Sequence, residues 1–168
     1  MKKEINIRQI QYDAEEIFRI GGFYCSEAIV SSIRKNIDPN MPEGLISAAS
    51  GFPIGVGRSG CMCGAISGAV IALGYFFGKF AENSHKNMPD TVKNSQECAE
   101  LVFELQESFR KNHQGTLCCH IHVEGMDLSS GEHKKQCIAF TGEMARKTAE
   151  LIARELKLKV VYDDVEVR

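Results

Sequence analysis

The residues best suited to chemistry in this 168-residue chain are its seven cysteines: Cys25, Cys61, Cys63, Cys98, Cys118, Cys119 and Cys137. A thiolate attacks disulfides and ligates soft metals, whereas a neutral buried thiol packs as a small hydrophobe. An odd count in a chain of this length argues against a purely structural disulfide framework and leaves metal ligation, redox chemistry or inert burial. Cys63 is the sharpest candidate. It follows the glycine-rich stretch GVGRSGCM and opens an apolar run. A helix start there offers unpaired N–H groups and partial positive charge, which lower a thiol pKa, and Arg58 adds to that field. Cys63 is therefore the expected attacking thiol. Cys61, two residues earlier, would point to nearly the opposite side of a regular helix and reaches a shared site only from the loop.

Gly55, Gly57 and Gly60 spell G-x-G-x-x-G. A dinucleotide site needs a strand entering that turn, a helix leaving it, and an acidic residue about 20 positions on. Here the entering segment, LISAASGFPIGV, reads as a helix end and a turn, and the residue at the acidic position is Phe80. The loop thus reads as a turn that delivers a thiol, not as an NAD site. No C-x-x-C occurs, so a thioredoxin-type pair and common zinc knuckles are absent, and Cys118-Cys119-His120 lacks the C-x-x-C-H spacing of covalent haem. His120 and His122 could join thiolates in a zinc site, but a partly exposed loop is the preferred reading for each. Cys98 shares an otherwise apolar helical face and reads as core.

The elements that must position these thiols are helical. Ile10, Ala14 and Ile17 recur at helical spacing and predict a first helix over 5–20, broken by Gly21-Gly22. A second helix starts near Phe23 with Cys25 in its first turn, and a short one spans 43–50. An apolar helix over 62–80 carries Gly60, Gly64, Gly68 and Ala72 at every fourth position, a stripe that lets another backbone approach closely. A further helix opens at Met88-Pro89-Asp90 and ends by Gly115. Cys118 and Cys119 lie in the short irregular or helical connection TLCCHIHVEGMDL. Ser129 or Ser130 caps the last long helix, with Cys137, Phe140, Met144, Thr148, Leu151 and Ile152 as its inner stripe. The tail KVVYDDVEVR has β-type residues, suited to a small strand or to docking on a partner. The expected fold is all-α: one domain over 1–168, a bundle of about five to six helices around a buried glycine-rich central helix. In such a bundle, helix starts at one end bring their side chains together, which gives Cys25, Cys63, Cys118 and Cys137 a route to a common site.

A formal net charge of −2 gives no footprint for nucleic acid. The N-terminal MKKEINIRQI lacks an apolar signal region, and the run from Gly64 to Gly78 falls short of the roughly 18–20 residues of a membrane span. A cytoplasmic protein without membrane insertion is expected.

Cys25 in FYCSEA, the CGAISG run from Cys63 to Gly68, Cys118 in GTLC and Cys137 in KKQC, with GFPIGVGRSG before and GAVIALGYFFG after the second of these, resemble the C_GCAxxG_C_C family of redox-active proteins over residues 23–153. The resemblance implies a small helical bacterial or archaeal protein in which these four cysteines form the catalytic or cofactor-binding set. A related domain occurs in split-Soret cytochromes, where an iron–sulfur centre is associated with it. Cys61, Cys98 and Cys119 are additional here; Cys118 is preferred over Cys119 on its spacing from Gly115. Three chemistries stay open for the four: dithiol–disulfide exchange with a redox partner, an iron–sulfur cluster bordered by Cys61, Cys119, Gly57 and Gly60 whose loop N–H groups meet the cluster sulfurs, or structural zinc. A non-redox helical accessory protein with buried cysteines is the fourth reading, and a homodimer is an assembly left open.

Overall fold

Asn6 closes a three-residue strand, β1 (Glu4–Asn6), and caps helix α1 (Ile7–Ile20), its side-chain oxygen accepting the N–H groups of Arg8 and Gln9 at 3.0 and 3.3 Å. The structure, a computed structural model, describes residues 1–78, 88–127 and 129–165. Gly21 and Gly22, at φ +91° and +95°, stop α1 in a conformation that favours glycine. Helix α2 (Cys25–Asn36) begins immediately after, where the buried Glu27 carboxylate accepts the Tyr24 N–H at 2.7 Å and the Ser50 hydroxyl at 2.5 Å. Next come α3 (Gly44–Ala49), a single 3₁₀ turn at Val56–Arg58, α4 (Gly64–Phe77), α5 (Met88–Asn112), α6 (Cys119–His122), α7 (Glu132–Leu156) and strand β2 (Lys159–Val161).

Helix α7 packs on α1, α2 and α4, and α2 packs on both α1 and α4. Between them lies a core of fully buried side chains, among them Ile10, Ile29, Ile33, Ile66, Leu73, Met144 and Leu151. α4 is the central helix expected from its composition. A Cβ added at Gly68 would sit 2.5 Å from the Ser26 carbonyl oxygen and 2.7 Å from its Cα, so α2 and α4 cross backbone on backbone. On α2 the Ser26 hydroxyl donates to the Ala49 carbonyl at 2.9 Å and that of Ser32 to the Ile10 carbonyl at 2.7 Å, whereas the Ser31 hydroxyl is buried without a partner.

The protein is a mostly helical single domain, and its differences from the expected element bounds have local causes. α1 begins at Ile7 because residues 4–6 pair in parallel with the tail, Ile5 opposite Val160. The tail therefore makes the small strand rather than remaining free. The connection after Cys118 forms one helical turn, which brings the α-helices among the described residues to seven. α7 starts at Glu132 behind Gly131, with the Ser130 hydroxyl accepting the Glu132 N–H at 3.2 Å. The expected extension of α4 to Phe80 lies outside the described residues. Among the described residues no helix is long and apolar enough to cross a membrane.

Candidate functional site

The glycine loop is built by its own backbone. Gly57 N–H donates to the Gly51 carbonyl and Gly60 N–H to that of Ile54, both at 2.9 Å, while Arg58 N–H reaches Pro53 at 3.1 Å. These donors are occupied, so Gly57 and Gly60 do not offer N–H groups to a cluster sulfur or a phosphate, contrary to the sequence expectation. A turn this tight uses them internally. Its entry is helix α3, not a strand. Gly60 acts instead through its carbonyl, which accepts from the His120 backbone N–H at 3.1 Å, from His120 Nδ1 at 2.9 Å and from the Cys119 thiol at 3.3 Å. A carbonyl only accepts, so Nδ1 of His120 carries its proton. Together with the Cys63 N–H on the Leu117 carbonyl, at 2.8 Å, these bonds lay segment 60–63 along segment 117–120.

That juxtaposition sets the cysteine pairing. Cys61 and Cys118 form a disulfide across a sequence separation of 57 residues, their Cα atoms 4.3 Å apart. Cys25, Cys63, Cys98, Cys119 and Cys137 are free thiols. Four of these five line one cavity of about 690 Å³: Cys25 at the first residue of α2, Cys63 at the cap of α4, Cys119 at the first residue of α6 and Cys137 in the second turn of α7. The structure thus brings Cys25, Cys63 and Cys137 to one space and adds Cys119 where Cys118 was expected. Adjacent residues at a helix start point different ways, and here Cys118 faces the loop while Cys119 faces the cavity. Cys25 Sγ lies so close to α4 that a Cβ at Gly64 would be 2.5 Å from it. Gly60 is on the cavity wall; Gly57 is not. Cys98, expected in the core, is only half-buried on α5 and does not line this cavity.

Burial governs the thiols. Cys63 is only 5 % exposed, and loss of hydration pushes its pKa up from the ordinary 9.0 to about 12. The Ala65 and Ile66 N–H groups at the α4 start do pull it down, and the neighbouring Cys119 and Cys137 push it further up. The helix-start effect anticipated for Cys63 is therefore present but outweighed, because the thiol sits under the protein surface rather than on it. Cys25 is raised further, first by burial and then by repulsion from Cys63 and Cys137. Cys119 and Cys137 are raised by burial too, and Cys119 adds to the rise at Cys137.

Among the described residues, no three His, Cys, Asp or Glu side chains are arranged to hold a metal ion. Neither His120 nor His122 joins the thiols in such a group. His120 is exposed and engaged with Gly60. His122, expected in a partly exposed loop, is instead 5 % exposed, because the α6 turn folds it against Phe109 and Phe140, with ring centroids 5.5 and 5.1 Å away. Burial lowers its pKa. Sequence reasoning missed the rest of the cavity wall: Phe18, Tyr24, Ile54, His133, Lys134 and Phe140. A break before α2 and the glycines around it are the only sequence signals that these segments meet.

Fold and site together define a small helical protein with cysteines gathered in two oxidation states at one end of its bundle. A family model described as "Putative redox-active protein (C_GCAxxG_C_C)" matches residues 23–151, more than half of the chain, and the chain belongs to that family. No curated protein and no solved structure matches it.

Proposed function

We propose that this protein is a thiol–disulfide redox protein in which Cys61–Cys118 is the oxidised couple and Cys25, Cys63, Cys119 and Cys137 are the thiols that meet its substrate. One observation carries the reading: a disulfide and four free thiols, from four separate segments, share one end of the bundle. Exchange runs through a mixed disulfide. A partner dithiol attacks Cys61–Cys118 as its thiolate; one new S–S bond forms and the Cys61–Cys118 bond breaks, releasing one protein thiol. The partner's second thiol then displaces the other cysteine. The protein gains two electrons and two protons, and the partner leaves as a disulfide. Cys119 beside Cys118, and Cys63 two residues from Cys61, are the groups placed to pass exchange on to the cavity. Their raised pKa values support a slow, gated exchange, because little thiolate exists at neutral pH.

Equilibration in glutathione buffers, followed by alkylation and mass mapping of each cysteine, tests this. A two-electron titration confined to Cys61 and Cys118, lost in Cys61→Ser and in Cys118→Ser, is the expected result. An anaerobic preparation that is coloured and holds iron and sulfide, with Cys61 and Cys118 reduced throughout, overturns it.

A further inference from the structure

The cavity that collects the four thiols has a wall whose chemistry points to a ligand. Its body is apolar: Phe18, Phe23, Tyr24, Ile54, Val123 and Phe140 supply it. Three of these side chains stay substantially exposed at its mouth, Phe23 at 42 %, Tyr24 at 44 % and Ile54 at 57 %, where a soluble surface would favour polar groups. The charged side chains on the wall are Arg58 and Lys134, joined by the imidazoles of His120 and His133; among the described residues no Asp or Glu lines it. Nδ1 of His133 is buried without a hydrogen-bond partner, an unused polar atom of the kind a ligand satisfies. The volume, about 690 Å³, matches a small organic molecule rather than an ion.

The loop that frames this mouth is also held in an uncommon shape. Ile54 and Arg58 have φ of +53° and +66°. A β-branched residue in that region is an outlier, and such residues persist where the surroundings over-determine them, often at binding sites. Both of these line the cavity, one bringing an apolar side chain to the mouth and the other a guanidinium.

We infer that the cavity binds an organic anion with an apolar body, whose acidic group is held by the Arg58 and Lys134 cations and whose chain or ring lies among the aromatic side chains and the thiols. As the substrate class of the redox site, this rests on the function proposed for the cysteines; as a binding site, it stands on the cavity alone. Neutral molecules of the same body fit the apolar wall but leave the cations unpaired, and cationic ones are repelled.

The probe is 1-anilinonaphthalene-8-sulfonate, displaced in turn by decanoate, decanol and decylammonium. Decanoate should displace it at concentrations about tenfold below decanol, the size of one charge-assisted hydrogen bond, with decylammonium weakest. Arg58→Asn combined with Lys134→Gln should bring decanoate to the level of decanol; Asn tolerates the positive φ at position 58. Lys134→Gln alone, on the exposed surface of α7, should give part of the loss and serves if the double variant fails to fold. Decanoate should also slow maleimide labelling of Cys119 and leave Cys98 unchanged. Equal displacement by all three compounds, a preference that survives the charge removal, or no protection of Cys119 overturns the inference. Binding is read with Cys61–Cys118 bonded and again with it reduced. A failed redox titration with charge-selective binding thus removes the redox reading alone, and the reverse pattern removes this one alone.

Discussion

One turn of α4 separates two regions of opposite character. At Gly68 the helix lies backbone to backbone on Ser26, both residues are buried, and the Ser26 hydroxyl is bonded. At Cys63 and Gly64 the same helix opens on a cavity with four thiols, exposed aromatic side chains, an unpartnered imidazole nitrogen and a loop held at positive φ. The first region makes the second: only because Gly68 admits Ser26 do the starts of α2 and α4 meet, so that Cys25 rests on Gly64 beside Cys63. Regular packing provides the rigid platform, and the departures from regularity collect where groups must be presented.

The largest expected effect tests the cysteine end as a structural unit. Closing a loop of 57 residues by a disulfide stabilises a chain by about 4 kcal/mol in the chain-entropy description. Cys61→Ser with Cys118→Ser should lower the denaturant midpoint accordingly, with α4 and its crossing intact by circular dichroism. A loss far smaller than this would mean that the backbone bonds between segments 60–63 and 117–120 already hold the two together. Next in size is the crossing. Gly68→Leu forces a side chain against Ser26 backbone, which cannot rotate away, and overpacking of this kind costs about 1–3 kcal/mol. An unchanged melting temperature would show that the two regions are not packed as differently as the structure has them.

The thiols give a third contrast. With Cys63 raised to about 12, its alkylation rate should climb roughly tenfold per pH unit from neutral to alkaline pH without a plateau. A plateau near pH 7 would mark a low-pKa nucleophile and return Cys63 to the role its helix start suggests. The same rise in pKa acts on stability. A thiol held neutral by folding contributes below its unfolded pKa of 9.0, and the contribution is lost as pH rises through the folded value near 12. Alkali should therefore loosen the cysteine end, and Cys63→Ala should reduce that sensitivity.

Helices are legible in the sequence where a 3.6-residue apolar period meets a glycine stop, as in α1 before Gly21 and in α4 with its stripe of small residues. That Cys25, Cys63 and Cys137 share a cavity follows the same logic, since each stands near a helix start. What the linear order does not carry is direction and depth. Cys118 and Cys119 are neighbours in the chain, yet the α6 start lies between them and turns one to the loop and one to the cavity; spacing from Gly115 contains no such information. The position of Cys63 announces the field of its helix but not the protein that covers it. The glycines suggest free N–H donors, but donors are free only if the loop has no use for them, and this loop uses those of Gly57 and Gly60. The neighbours of His122 in sequence, Ile121 and Val123, do not tell which way its ring turns, whereas its neighbours in space are Phe109 and Phe140.

The smallest effect lies outside both regions and gives a baseline for them. Glu104 on α5 bonds Arg154 and Lys147 of α7, at 2.9 Å to each. The hydrogen bonds from Arg154, then from Lys147, hold its pKa well below the ordinary 4.5, at about 2. A carboxylate whose folded pKa is depressed contributes stability above its unfolded value, and that contribution disappears as pH falls through the folded one. The side chain is 40 % exposed, so solvent and salt screen it, and exposed pairs of this kind contribute about 0.2–1 kcal/mol. Glu104→Gln should thus destabilise slightly at pH 7, and the gap from the unaltered protein should close between about pH 4.5 and pH 2. It should leave the Cys61–Cys118 titration unmoved, because the cluster joins α5 to α7 rather than touching the cavity. A shift in that titration on removing Glu104 would mean that α5 transmits strain to the cysteine end, and the two regions of α4 could no longer be treated as a platform and the groups it presents.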